Sequence, residues 1–219
     1  MIKLYFKVAA YDERMSYLRS TPRKRAHSFV QGFLKSQFRL IEDSTSVSIT
    51  DIDGGGTSMS TSAGGSGSTY SAGAFLNCTS TGRDGGLWGG KNSSDNNWVL
   101  GTRQGIVVGT GSTAVTPTDF ALATQIADGT SSGQLEHFSC AGTNLTTSSS
   151  QGSFDLERLF RNSSGGTITI NEVGLYTSFH TASGVLGNNY CIIRDLVSPG
   201  FAVNNGEYMR IIYTISVSV

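Results

Sequence analysis

Three histidines, three cysteines and sixteen acidic residues are the side chains of this 219-residue chain that could do acid, base, nucleophilic or metal chemistry. His137 and Cys140 have a spacing that could hold a metal, with Cys78 or Cys191 joining them. Zinc sites pair their ligands more tightly, so the reading preferred is buried thiols beside a strand histidine. Gly109-Thr-Gly111 follows the apolar run Ile106–Val108 and looks like the start of a dinucleotide-binding loop, which would set a pyrophosphate at a helix N-terminus. Val115, Thr116 and Pro117 do not open such a helix, and no Walker lysine follows, so the glycines read as a strand-ending turn. Asp51-x-Asp53-Gly54 starts like a calcium loop but lacks the later acidic ligands, and reads as a turn. His27, His137 and His180 accompany no nucleophile-elbow glycine pattern. Paired carboxylates for glycoside cleavage stay open in principle, yet no pair stands out among the acids. The expectation is therefore a protein that is not an enzyme, with no catalytic residue, no cofactor and no metal.

Glu172 is the acid that most needs an account. Strand alternation sets it on the face of Ile168 and Ile170, where a lone carboxylate is costly to bury. The expected solution is a structural ion pair with Arg194 or Arg161; the alternative is an exposed glutamate near a strand end.

The elements that must position these residues are mostly strands. Met209, Ile211, Tyr213, Ile215, Val217 and Val219 alternate with Arg210, Thr214, Ser216 and Ser218, a half-buried strand whose polar face is broken only by Ile212. Asn204-Asn205-Gly206 tolerates positive φ and predicts a hairpin joining the run 201–203 to this strand. Asn162-Ser-Ser-Gly-Gly166, set between 154–161 and the β-branched start of 167–176, predicts a second hairpin. Short strands are expected near 104–109, 134–141, 153–161, 167–177, 190–197 and 207–219. Their spacing favours an antiparallel β-sandwich of jelly-roll type over an α/β fold.

The N-terminal part reads differently. Ile2, Leu4, Phe6 and Val8 alternate with Lys3, Tyr5 and Lys7, a short strand able to complete a sheet in its own subunit or a neighbour. Thr21-Pro22 resembles an N-cap with proline at the first helical position. Ala26, Phe29, Val30, Phe33, Leu34, Phe38 and Ile41 then recur at helical spacing, predicting an amphipathic helix over 22–41. Gly32 in its middle costs about 1 kcal/mol relative to alanine, which close packing against another backbone would offset. Residues 53–73 are a Gly/Ser/Thr-rich connector. The expected division is an assembly arm at 1–52, a linker at 53–73 and a β domain at 74–219.

Composition agrees with a turn-rich β protein: 28 glycines, three prolines, 15% charged and 10% aromatic residues, the last arguing for a core. Net charge is zero, but residues 1–43 carry nine Lys and Arg against four Asp and Glu, a net +5 balanced by −5 elsewhere. Such asymmetry suggests that the first segment meets an acidic surface, a neighbouring subunit in preference to nucleic acid, unless it is simply a solvated helix face. Lys3 and Lys7 interrupt any secretory signal, and the three widely spaced cysteines read as free thiols of a protein made in a reducing cytoplasm. No stretch approaches the roughly 20 apolar residues of a membrane span.

The blocks GIVVGTGSTAVTPTDFAL, RNSSGGTITINEVGLY and RDLVSPGFAVNNGEYMRIIYTI, spread over roughly residues 104 to 219, resemble a group of structural proteins from the virions of tailed bacteriophages. The resemblance implies a β-sandwich that assembles into a head, neck or tail, synthesised in the host cytoplasm and located in the virion, with copies of itself and other virion proteins as partners. It brings no catalytic residues. Within that setting the expected assembly interface is the N-terminal arm, with Phe29, Phe33, Leu34 and Phe38 on its apolar stripe and Arg23, Lys24 and Arg25 beside it. The alternative is a receptor- or glycan-binding fibre or decoration module, in which Trp88, Trp98 and Tyr70 stack on a host surface glycan.

Overall fold

The computed structural model describes residues 2–26, 29–35, 47–59, 104–178 and 189–218. Within them the chain is mainly β, and every strand pairing is antiparallel. The larger sheet is built around β1 (Ile2–Tyr11), with β2 (Tyr17–Ser20) and β3 (Lys24–Arg25) along one of its sides. A small hairpin is formed by β4 (Val47–Thr50) and β5 (Gly56–Met59). Then come β6 (Gly105–Gly109), β7 (Glu136–Thr147), β8 (Gln151–Arg161), β9 (Ile168–Ser178), β10 (Asn189–Val203) and β11 (Tyr208–Ser218). The six-stranded sheet runs β2-β1-β11-β8-β7, with β3 also on β1, and the three-stranded sheet runs β10-β9-β6.

Period-two patterning explains the inward faces. Leu4, Phe6, Val8 and Ala10 of β1 are buried, as are Met209, Ile211, Tyr213 and Ile215 of β11, while Lys3, Tyr5 and Lys7 lie on the other face. These side chains join Leu156 and Phe160 of β8 and Ile106, Val108, Ile170 and Val173 from the smaller sheet in one hydrophobic cluster. The core thus lies between the two sheets. β6 is buried along its whole length, as its unbroken apolar run requires.

The N-terminal strand completes the sheet of its own subunit, in register from Ile2↔Val217 to Tyr11↔Tyr208. The helix anticipated over 22–41 is not shown over its first part, where residues 24–25 pair with β1 and Phe29 bridges to Ile193; residues 27, 28 and 36–41 lie outside the described residues. Helix is confined, among the described residues, to 31–35. Ala26, Phe29 and Val30 are buried or half-buried from backbone that is not helical, and Phe33 is half-buried from the short helix, so the apolar spacing extended the helix too far towards the N-terminus. Gly32 is needed in the short helix 31–35, since a Cβ there would run into the carbonyl of Cys191. Phe38 lies outside the described residues, as do residues 60–73 of the anticipated linker.

Both anticipated hairpins at Asn162–Gly166 and Asn204–Gly206 are corrected as well. β8 and β11 belong to the larger sheet, whereas β9 and β10 belong to the smaller one, so each turn is a corner where the chain changes sheet. The corners are bolted together. Asn162 N–H donates to Glu207 O at 2.9 Å, Gly206 N–H donates to Asn162 O at 2.7 Å, and the fully buried Asn162 amide donates to Val203 O and Gly166 O. Hairpin and corner share the same turn chemistry, so local residues could not separate them.

Candidate functional site

Glu172 lies mid-strand in β9, opposite Leu196 of β10 and Gly109 of β6, and it has no solvent exposure. A carboxylate so placed is tolerable only if its oxygens are saturated with donors. One oxygen, Oε1, accepts from Thr124 N–H at 2.8 Å and Gly111 N–H at 3.2 Å. Oε2 accepts from Ala123 N–H at 3.0 Å and from Arg194 Nε at 2.9 Å. Arg194, on β10 and 2% exposed, uses the rest of its guanidinium on the loop. Its Nη1 donates to Asp119 Oδ2 at 2.6 Å and its Nη2 to Thr113 O at 3.0 Å and Thr113 Oγ1 at 2.9 Å.

The electrostatics follow from that geometry. Burial pushes the Asp119 carboxyl up, but hydrogen bonds from Thr116 N–H and Oγ1 and the Arg194 guanidinium together hold it below its ordinary value. Burial likewise works against charged Arg194, and its two carboxylate partners more than offset this, raising its pKa. Tyr176 completes the anchoring from β9, its hydroxyl oxygen accepting from Leu122 N–H at 2.6 Å; burial drives that phenol far above the usual range.

Residues 110–126, which contain no strand, are therefore held by three side chains projecting from the small sheet. This accounts for Gly109 and Gly111. A Cβ on either would stand 2.5 Å from Glu172 Oε1, too close for any real side chain. The glycine loop does present N–H to an anion, but the anion is the protein's own carboxylate. With each oxygen of Glu172 accepting two hydrogen bonds, the group works as a strut, and its chemistry is structural.

Of the residues singled out from sequence, the structure brings Glu172 and Arg194 together, whereas Arg161 stands 3.9 Å from Glu136. His137 packs edge-on against Phe160 at 4.9 Å and Cys140 is buried. No group of three or more His, Cys, Asp or Glu placed to hold a metal occurs among the described residues. Asp51 Oδ1 accepts from Asp53 N–H at 3.0 Å and Gly55 N–H at 2.7 Å, organising the β4–β5 turn. In the N-terminal segment Phe29 and Phe33 stack at 4.1 Å and, partly buried, pack against the chain's own core. Arg23 covers the Tyr5 ring, Lys24 donates to Ser198 O, and Arg25 and Leu34 are exposed. Trp88, Trp98, Tyr70, Cys78, His27 and His180 lie outside the described residues.

Sequence reasoning missed Arg158, although its signal was present: alternation sets it on the same face as Leu156 and Phe160. Only 3% exposed, it donates from Nε to Phe138 O at 2.7 Å and from Nη1 to Gln104 O at 3.0 Å and Ile106 O at 2.8 Å, linking β8 to β6 across the core. Burial lowers its pKa to about 10, which leaves it charged at neutral pH.

No family model, curated protein or solved structure matches the chain. No helix among the described residues is long and apolar enough to cross a membrane.

Proposed function

We propose that this chain is a non-enzymatic structural protein of a tailed-phage particle, a β-sandwich of jelly-roll type that assembles with copies of itself and with neighbouring virion proteins. Residues of the three sequence blocks that resemble virion proteins supply the observation that carries this reading. Their most distinctive polar side chains, Glu172, Arg194 and Asp119, are spent on one another and on the backbone of loop 110–126. A block whose acid and base groups are saturated internally presents a fixed shape and no reactive group, which is what an assembly surface needs.

Assembly of this kind draws on many moderate contacts repeated by symmetry. The N-terminal segment takes part through its exposed residues, Leu34 and Arg25 among them, while Phe29 and Phe33 serve the subunit's own core. The experiment is mass spectrometry of purified, nuclease-treated particles, with cryo-EM to position the chain. Stoichiometric recovery with the particle is expected. Recovery only in the soluble fraction of infected cells would remove the reading.

A further inference from the structure

The N-terminal segment holds the chain's excess of cations, and Lys3, Lys7 and Arg23 stand together on the outward face of the larger sheet. Alternation along β1 turns Lys3, Tyr5 and Lys7 to that face, opposite the core residues Leu4, Phe6 and Val8. Arg23 joins them from the edge, its guanidinium lying 4.4 Å from the centre of the Tyr5 ring. Register sets Lys3 beside Ser216 of β11, which in turn faces Ser153 of β8, and sets Tyr5 beside Thr214 in the next row. Lys3, Tyr5, Arg23, Ser153, Thr214 and Ser216 line an open groove of about 280 Å³, with Gln151 beside them.

This groove offers more hydrogen-bond donors than the chain itself uses. The Lys3 ammonium, the Arg23 guanidinium, the Tyr5 hydroxyl and the Gln151 amide make no hydrogen bond to a described residue, and neither cation has an ion-pair partner among the described residues. Asp155 and Glu157, further across the same face, are already engaged. Asp155 accepts from Thr214 Oγ1 at 2.6 Å and from Asn144 Nδ2 at 2.9 Å, and Glu157 accepts from Arg210 Nε at 3.0 Å. The groove therefore suits a ligand rich in acceptors and negatively charged.

We propose that this groove binds a carboxylated oligosaccharide. The planar Arg23 fork matches the two oxygens of a carboxylate, with Lys3 as a second cation. Ser153, Ser216 and Gln151 both donate and accept, as pairing with ring hydroxyls requires. Arg23 rests on Tyr5 before any ligand arrives, which reduces the ordering lost on binding. Lys7, about 13 Å along β1 from Lys3, extends the attraction to a longer chain. Other anionic partners fit less well. A nucleic acid duplex is too wide for a groove of this volume, and a single strand needs an aromatic face that Arg23 already covers. An acidic protein surface gains little from exposed ion pairs without apolar anchors, and Val217 is the one aliphatic side chain of the lining. The proposal does not rest on the assembly reading, because binding is measured on the isolated chain and localisation on the particle.

The test is titration calorimetry of the full chain at low salt with tetragalacturonate as the carboxylated probe. Maltotetraose, oligo-dT and oligo-glutamate serve as the neutral, nucleic acid and peptide probes. The parent is expected to bind tetragalacturonate with a Kd below about 1 mM, more weakly as salt rises, and at least about tenfold more tightly than any of the other three. Lys3→Gln and Arg23→Gln should each weaken binding by about tenfold or more, whereas Arg14→Gln, an equal loss of charge in the β1–β2 turn, should leave it unchanged. Ser216→Leu, which fills the groove at constant charge, should weaken it too and so separate a site from diffuse attraction; if that variant fails to fold, the cation variants decide alone. No binding at about 10 mM tetragalacturonate, equal or tighter binding of another probe, equal weakening by Arg14→Gln, or parent-like binding by folded Ser216→Leu would overturn the proposal.

Discussion

Replacing Glu172 by glutamine keeps the size of the side chain and removes what loop 110–126 is built on. The carboxylate accepts four hydrogen bonds, from Gly111, Ala123, Thr124 and Arg194, and a glutamine amide can present only one oxygen to them. Its NH2 must then face two donors, and Arg194 keeps Asp119 as its one carboxylate partner. Breaking one side of a fully buried ion pair costs about 3–5 kcal/mol, a large share of the roughly 5–15 kcal/mol by which domains are stable. For a chain of this size each kcal/mol lowers Tm by about 2–4 °C, so a drop of roughly 6–20 °C is expected. Urea unfolding followed by far-UV circular dichroism measures the global loss. Amide exchange tests the mechanism, because protection should fall first at Gly111, Ala123 and Thr124. The double variant Glu172→Gln/Arg194→Met should lose less than the two single changes summed, since it also removes the stranded cation. A loss below about 1 kcal/mol, or exchange at those three amides matching the parent, would refute the strut argument.

Two further outcomes follow from the same structure. Glu207 is held at about 2, against an ordinary 4.5, chiefly by the hydrogen bonds from Arg19, whose Nη2 lies 2.6 Å from its carboxylate. Because the folded value is the lower one, the unfolded state binds more protons between those limits, so this contribution is complete above about 4.5 and is lost as pH falls towards 2. Stability measured against pH in that window should slope less in Glu207→Gln than in the parent; identical slopes would exclude the pair as the cause. Deleting residues 2–11 should abolish cooperative unfolding instead of releasing a folded β domain, because β1 lies between β2 and β11 and supplies Leu4, Phe6 and Val8 to the core. Losing Phe6 alone should cost about 3–5 kcal/mol. A sharp thermal transition in the truncated chain would show that β1 is dispensable.

Strand alternation was legible wherever one face was buried and the other wet: β1, β8 and β11 show it because period-two patterning is written residue by residue. Glu172 was also legible, since a carboxylate on an apolar strand face demands a partner, and Arg194 was one of two candidates. Asp119 was not, because its role depends on a loop returning to β10 from 75 residues away. Arg158 was legible by the same reasoning as Glu172 and was overlooked.

By itself the sequence determined the β class, the positions of most strands and the need to neutralise Glu172, all of which arise from local periodicity and the cost of burying charge. Only the tertiary structure decided which sheet each strand joins, that the Asn-rich turns are corners, that residues 24–25 pair with β1 and Phe29 bridges to β10 outside any helix, and that Gly109 and Gly111 make room for a carboxylate. Those outcomes depend on contacts between residues far apart in the chain, whose free energies compete with local propensity and here exceed it.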